Sequence, residues 1–155
     1  MRFPTVTGAN LSGRRFELPA GFEGELNLVQ VAYLQWQQAS VDSWTPLLAI
    51  LTRRHPNLRA YELPVLRRMS WVQQLMIDGG MRMGIPDRAV RDRTITLYLD
   101  VERFNAALAI PGVDTIQNLL VDRDGNILWR AAGDYSYEHA DELARTVAHL
   151  AAQAA

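Results

Sequence analysis

The sequence predicts one α/β domain, residues 1–155, with a central mixed sheet and helices on both faces. Three observations carry this reading. Segments of strand periodicity alternate with segments of helical periodicity; one strand, Glu25 to Tyr33, is apolar on both faces; and an aspartate–glycine turn late in the chain joins two short apolar runs. The alternation implies parallel neighbours covered on both sides, and the late hairpin implies an antiparallel edge.

After a short polar start, Gly13 to Leu18 with Pro19 behind it reads as a brief edge strand, and Gly21-Phe22-Glu23-Gly24 as a turn. Glu25 to Tyr33 is the buried strand. Ser40, Asp42, Ser43 and Thr45 compete to cap a helix ending near Arg54, and Thr45-Pro46 suits an N-cap followed by proline at the first helical position. Leu47, Leu48 and Leu51 form its apolar stripe. Leu58 to Leu66 resumes strand character, weakened by Pro64, and a helix from about Met69 to Ile77 is expected to stop at Gly79-Gly80. Thr94 to Leu99 reads as a strand and Val101 to Leu108 as a short helix. Ile116 to Val121, a turn at Asp122-Arg123-Asp124-Gly125-Asn126, and Ile127 to Ala131 form the hairpin. Leu143, Val147 and Leu150 mark the closing helix, Tyr137 to about Ala152.

Composition narrows the chemistry. The chain has no cysteine, which excludes thiolate nucleophiles, disulfides and cysteine metal sites. The longest unbroken aliphatic run, Leu47 to Leu51, is far short of the ~20 residues of a membrane-spanning helix. The amino terminus lacks an apolar stretch of signal-peptide length, so a cytoplasmic location is expected. All 16 basic residues are arginine, which with the abundant alanine points to a GC-rich bacterial source. The net charge of -1 hides an asymmetry: residues 53–93 carry a net +5 and residues 100–145 a net -5. Solvated faces that differ account for the split more simply than a surface polarised toward an anionic partner.

Leu18-Pro19-Ala20-Gly21-Phe22-Glu23-Gly24 followed by Leu28-Val29-Gln30-Val31-Ala32-Tyr33 resembles the opening of alkyl hydroperoxide reductase, TlpA-type and related thioredoxin-like proteins. Leu119 to Trp129, with its Asp-Gly turn, is similar to their closing hairpin. Within that superfamily, Val41-Asp42-Ser43-Trp44 and Val121-Asp122 to Trp129 with Gly133 look most like the thioredoxin-like assembly factors of mitochondrial ATP synthase and their bacterial relatives. The resemblance implies a thioredoxin-like fold. It also places Gln38-Ala39-Ser40-Val41 where TlpA-type proteins carry C-x-x-C, and Thr115-Ile116-Gln117 where they carry the cis-proline facing the dithiol. Both halves of that redox site are missing.

No other constellation replaces it. His139 beside Glu138, Asp141 and Glu142 could suggest a metal ligand or base, but a charge-rich first helical turn explains the same cluster. Asp122-x-Asp124-Gly125-Asn126 lacks the EF-hand glycine and glutamate positions and is read as a turn. Without lysine, the Gly79-Gly80 region is no P-loop. No metal and no cofactor are expected. Met69, Met76, Met81 and Met83 with Trp71 read first as core and second as an adaptable partner surface.

The expected function is therefore that of a non-redox protein-binding or assembly module. Its partner surface would be Gln38, Ser40, Asp42, Ser43 and Trp44 at the head of the first core helix, with Arg82, Arg88, Arg91 and Arg93 as a basic docking patch. The resembled assembly factors add peripheral association with a membrane complex as an expectation. Nucleic acid is disfavoured because Asp87 and Asp92 dilute the charge. The alternatives are an enzyme or small-ligand binder using a non-thiol pocket at the same helix head, and a structural homo-oligomer built through the edge strand or the methionine segment.

Overall fold

The computed structural model describes residues 1–154. Seven strands form one sheet: β1 Val6–Asn10, β2 Arg15–Leu18, β3 Leu26–Ala32, β4 Leu58–Arg67, β5 Ile95–Leu99, β6 Gln117–Asp122 and β7 Ile127–Ala132, in the order β2-β1-β5-β4-β3-β6-β7. β3, β4 and β5 run parallel, and the remaining pairings are antiparallel. The helices are α1 Gln38–Ser43, α2 Thr45–Arg54, α3 Trp71–Gly84, α4 Arg88–Asp92, α5 Val101–Ala107 and α6 Tyr137–Ala154.

β3 is the centre of the structure, as its two-sided apolar sequence requires. Val29 and Val31 join Leu63, Val65, Leu97, Phe104 and Leu119 on the α5 side, while Leu26 and Leu28 join Trp44, Leu48, Leu120, Leu143 and Val147 on the α2 and α6 side. Pro64 is tolerated inside β4 because Ala32–Pro64 is the last pair with β3, and the ladder with β5 runs from Val65.

Three expectations need correction. β1 lies in what reads as a polar start: its sequence, VTGAN, has no strand alternation, yet Gly8 lets it approach β5 so closely that a Cβ there would fall 2.5 Å from a Leu97 methyl. The first core helix is not capped by Thr45. The chain is already helical from Gln35, and Trp44 and Pro46, whose ring nitrogen has no hydrogen to donate, divide one helical run into α1 and α2. α3 does not stop at Gly79-Gly80 but runs on to Gly84, begun by a capping box in which Ser70 and Gln73 satisfy each other's backbone N–H groups. The loop of Ile85, Pro86 and Asp87 leads into α4, where the Asp87 carboxylate accepts from Ala89 N at 2.9 Å.

The hairpin turn is as expected. Asp122 Oδ1 accepts from Asp124 N at 3.0 Å and from Asn126 N at 2.8 Å, and Gly125 takes the left-handed φ of 89° that the turn needs. Among the described residues, no helix is long and apolar enough to cross a membrane.

Candidate functional site

β3 ends at the carboxyl edge of its parallel neighbours, and the chain turns there through a short 3-10 segment, Gln35–Gln37, into α1. Gln37 is fully buried and ties the turn together. Its Oε1 accepts from Tyr33 N at 2.8 Å and Leu34 N at 3.1 Å, and its Nε2 donates to Val113 O at 2.7 Å. Tyr33 anchors the other side: its buried hydroxyl donates to Asn105 Oδ1 at 2.6 Å, and burial pushes its pKa well above the usual tyrosine range. This fixed turn presents two apolar side chains to solvent, Trp36 at 64% exposure and Leu34 at 39%.

The residues expected to form the partner surface separate into different roles. Trp44 is a correction. It is completely buried, donates its indole N–H to Gly133 O at 3.0 Å, and packs edge-on against Trp129 and Tyr135 at ring distances of 6.2 and 5.7 Å. Ser43 is half-buried and structural: its hydroxyl donates to Ser40 O at 2.6 Å and accepts from Tyr135 N at 3.0 Å. Ser40 is half-buried beside it. Gln38 and Asp42 are exposed and joined at i, i+4, Gln38 Nε2 donating to Asp42 Oδ1 at 2.9 Å. Of the five, only these two are exposed.

The four arginines differ in their surroundings. Arg82 Nε donates to Leu11 O at 2.9 Å and Arg91 donates to Pro86 O at 3.1 Å, so both brace backbone. Arg93 is half-buried and lines a cleft with Glu62, while Arg88 is exposed at the start of α4. The methionine segment also departs from a core reading: Met76 and Met83 are exposed, and Met81 is half-buried against the Thr96 hydroxyl. The side chain of Trp71 lies outside the described residues. No cluster of three or more metal-ligating side chains occurs among the described residues, His139 included.

The sequence reading missed three features of this region. Trp36 had a signal, being a tryptophan in a polar stretch between strand and helix where no core stripe claims it. Gln37 had none, because its burial depends on a carbonyl 76 residues away. The third is the cleft between α2 and the sheet, where Glu62, Gln30 and Arg93 meet although 63 residues separate Gln30 from Arg93.

No protein-family model matches this chain, and no curated protein matches it. Solved structures do. The pneumococcal exposed lipoprotein thioredoxin Etrx1 from Streptococcus pneumoniae superposes with a TM-score of 0.61 at 10% identity, covering 94% of this chain and 99% of that one. BsSco, a member of the Sco family of cytochrome c oxidase assembly proteins, gives 0.62 at 15% identity, with 97% and 94% covered. The thioredoxin domain of a thiol-disulfide oxidoreductase from Bacteroides vulgatus gives 0.55 at 18% identity, with 95% and 96% covered. The fold is thioredoxin-like, a mixed sheet with helices on both sides. These neighbours are named for thiol chemistry or for assembly, and this chain has no cysteine with which to perform the former.

Proposed function

We propose that this is a non-redox thioredoxin-fold protein that binds another protein through the turn at the head of α1, with Trp36 as the anchor, Leu34 beside it, and Gln38 and Asp42 as the polar rim. The observation that carries the reading is Trp36, 64% exposed on a turn locked by a fully buried glutamine. A large aromatic ring left in water forgoes the burial that a core position would give it. Held on a rigid backbone, it offers a partner a contact that needs little further ordering.

An assembly role belongs to the same proposal. It rests on the resemblance of Val41-Asp42-Ser43-Trp44 to the ATP synthase assembly factors and on BsSco, whose family is named for cytochrome c oxidase assembly. Peripheral attachment to a membrane complex, a cytoplasmic setting and the absence of a cofactor are parts of that reading too.

The test is affinity capture from the source organism, membrane fraction included, with the wild type, Trp36→Ala and Leu34→Ser compared side by side. Both variants are expected to melt with the wild type, because neither side chain is in the core, and to lose the partner that the wild type retains. A partner held equally by all three places the binding surface elsewhere.

A further inference from the structure

A cleft of about 350 Å³ lies between α2 and the sheet, a size suited to a small organic ligand. Leu48, Ala49, Leu58 and Ala60 give it an apolar floor. Its polar end is formed by Glu62 on β4 and Gln30 on β3, which are in register, and behind Gln30 the fully buried Asn118 on β6 continues the row.

The orientation of this row is determined from one side. Asn118 Nδ2 donates to the carbonyls of Ala131 at 3.1 Å and Gly133 at 3.2 Å, so its Oδ1 is the atom left to face Gln30, and it accepts Gln30 Nε2 at 3.0 Å. Gln30 is only 3% exposed, and its remaining Oε1 receives no hydrogen bond from the described residues. No fully enclosed side-chain polar atom among them lacks a partner, so this oxygen opens on the cleft that Gln30 lines.

Glu62 and Arg93 face the same space. Burial raises the Glu62 pKa above the usual carboxylate range; Asp42 adds to the rise, and Arg93 and Gln38 counter it. Yet neither Glu62 nor Arg93 joins an ion pair among the described residues. Glu62 N donates to Arg93 O at 3.0 Å, so the two half-buried side chains start from adjacent positions and present opposite charges to the same cleft, where a ligand carrying both charges could pair with each.

We propose that this cleft binds a small zwitterion of the α-amino acid class. Its ammonium would sit against Glu62 and Gln30 Oε1, its carboxylate against Arg93, and its side chain over the floor formed by Leu48 and Ala60. The proposal is independent of the partner surface at Trp36, and its test uses no protein partner.

The probes are leucine, phenylalanine, glutamate and lysine, titrated into the full chain by calorimetry and followed by amide chemical shifts. N-acetyl-leucine removes the cation and leucine methyl ester removes the anion. At least one free amino acid is expected to bind at up to millimolar concentration, with its acetylated and esterified forms weaker by about tenfold or more. Glu62→Gln and Arg93→Gln should each weaken it by a similar factor while melting as folded proteins. The wild type supplies a second readout. Affinity should rise with pH as Glu62 ionises beside Arg93 and Asp42, with Glu23, Arg59 and Asp92 the other charged groups lining the cleft, and protons should be released on binding below its pKa. Failure of all four amino acids to bind at millimolar concentration, equal binding of N-acetyl-leucine, or affinity unchanged in both variants would overturn the proposal.

Discussion

Two helices cover the same face of the sheet and are fastened to it in different ways. α2, ten residues long, buries Leu48 and Leu51 in the cluster that Val41 and Trp44 begin, so its attachment is an apolar stripe meeting β3, β4 and β6. α3 is longer, at fourteen residues, yet it leaves Leu75, Met76 and Met83 in solvent. Among the described side chains it has polar ties: the Tyr98 hydroxyl donates to Asp78 Oδ1 at 2.7 Å and Arg82 donates to Leu11 O. Length does not decide how firmly a helix is held. Buried apolar area does, and where it is small the element opens at a lower free energy than the rest of the fold.

The comparison is broken most severely at Trp44. Trp44→Ala should cost ~3–5 kcal/mol, the range for large aromatic truncations in a core, because the ring is completely buried and Gly133 O loses one of its two donors. Denaturant unfolding followed by circular dichroism measures it, and a loss under about 1 kcal/mol would mean that the α1–α2 side is not the firmly packed one.

Gln37→Ala comes next. It leaves the buried Tyr33 N–H unpaired, worth ~1–3 kcal/mol when orphaned, and removes the donor to the part-buried Val113 carbonyl. The variant should be destabilised and should also lose the partner captured through Trp36, because the turn is no longer held. Destabilisation with partner binding intact would show that the turn's rigidity is not what the partner reads.

On the α3 side the expected sign reverses. A Cβ added at Gly79 or Gly80 meets nothing within 4 Å, so Gly79→Ala and Gly80→Ala should each stabilise the helix by ~0.8–1.0 kcal/mol. Hydrogen exchange should show the gain as added protection confined to α3. No gain would mean that the helix is already as firmly held as α2.

The smallest effect concerns pH. Because burial raises the Glu62 pKa in the folded chain, the native state keeps a proton that the unfolded state has released between the ordinary carboxylate range and that raised value. Glu62's contribution to stability is therefore fully present below that interval and is lost as pH rises through it. Glu62→Gln should flatten this part of the profile and leave the protein at least as stable at neutral pH. An unchanged slope would mean that another group titrates there.

Much of the fold was legible because it depends on local pattern. β3 announces itself by being apolar on both faces, the hairpin by Asp122 and Gly125, and α6 by Leu143, Val147 and Leu150. β1 was not legible, since VTGAN becomes a strand only by pairing with β2 and β5. The stop expected at Gly79-Gly80 followed glycine propensity, which the capping box at Ser70 and the contacts of Tyr98 and Arg82 outweigh. At the candidate site, the sequence reading named Trp44, which is buried, and passed over Trp36, which is exposed: the two are eight residues apart and look alike in one dimension.

By itself the sequence determined what this protein cannot do and the frame it is built on: with no cysteine there is no thiolate, and a strand apolar on both faces must be covered on both faces. Tertiary structure alone decided which tryptophan faces the solvent, because that depends on Gly133 reaching Trp44 and on Val113 holding Gln37. It alone also decided that Glu62 and Arg93 share a cleft. Long-range pairing sets where a polar or aromatic side chain comes to rest, and periodicity carries no record of the contacts that strand order brings together.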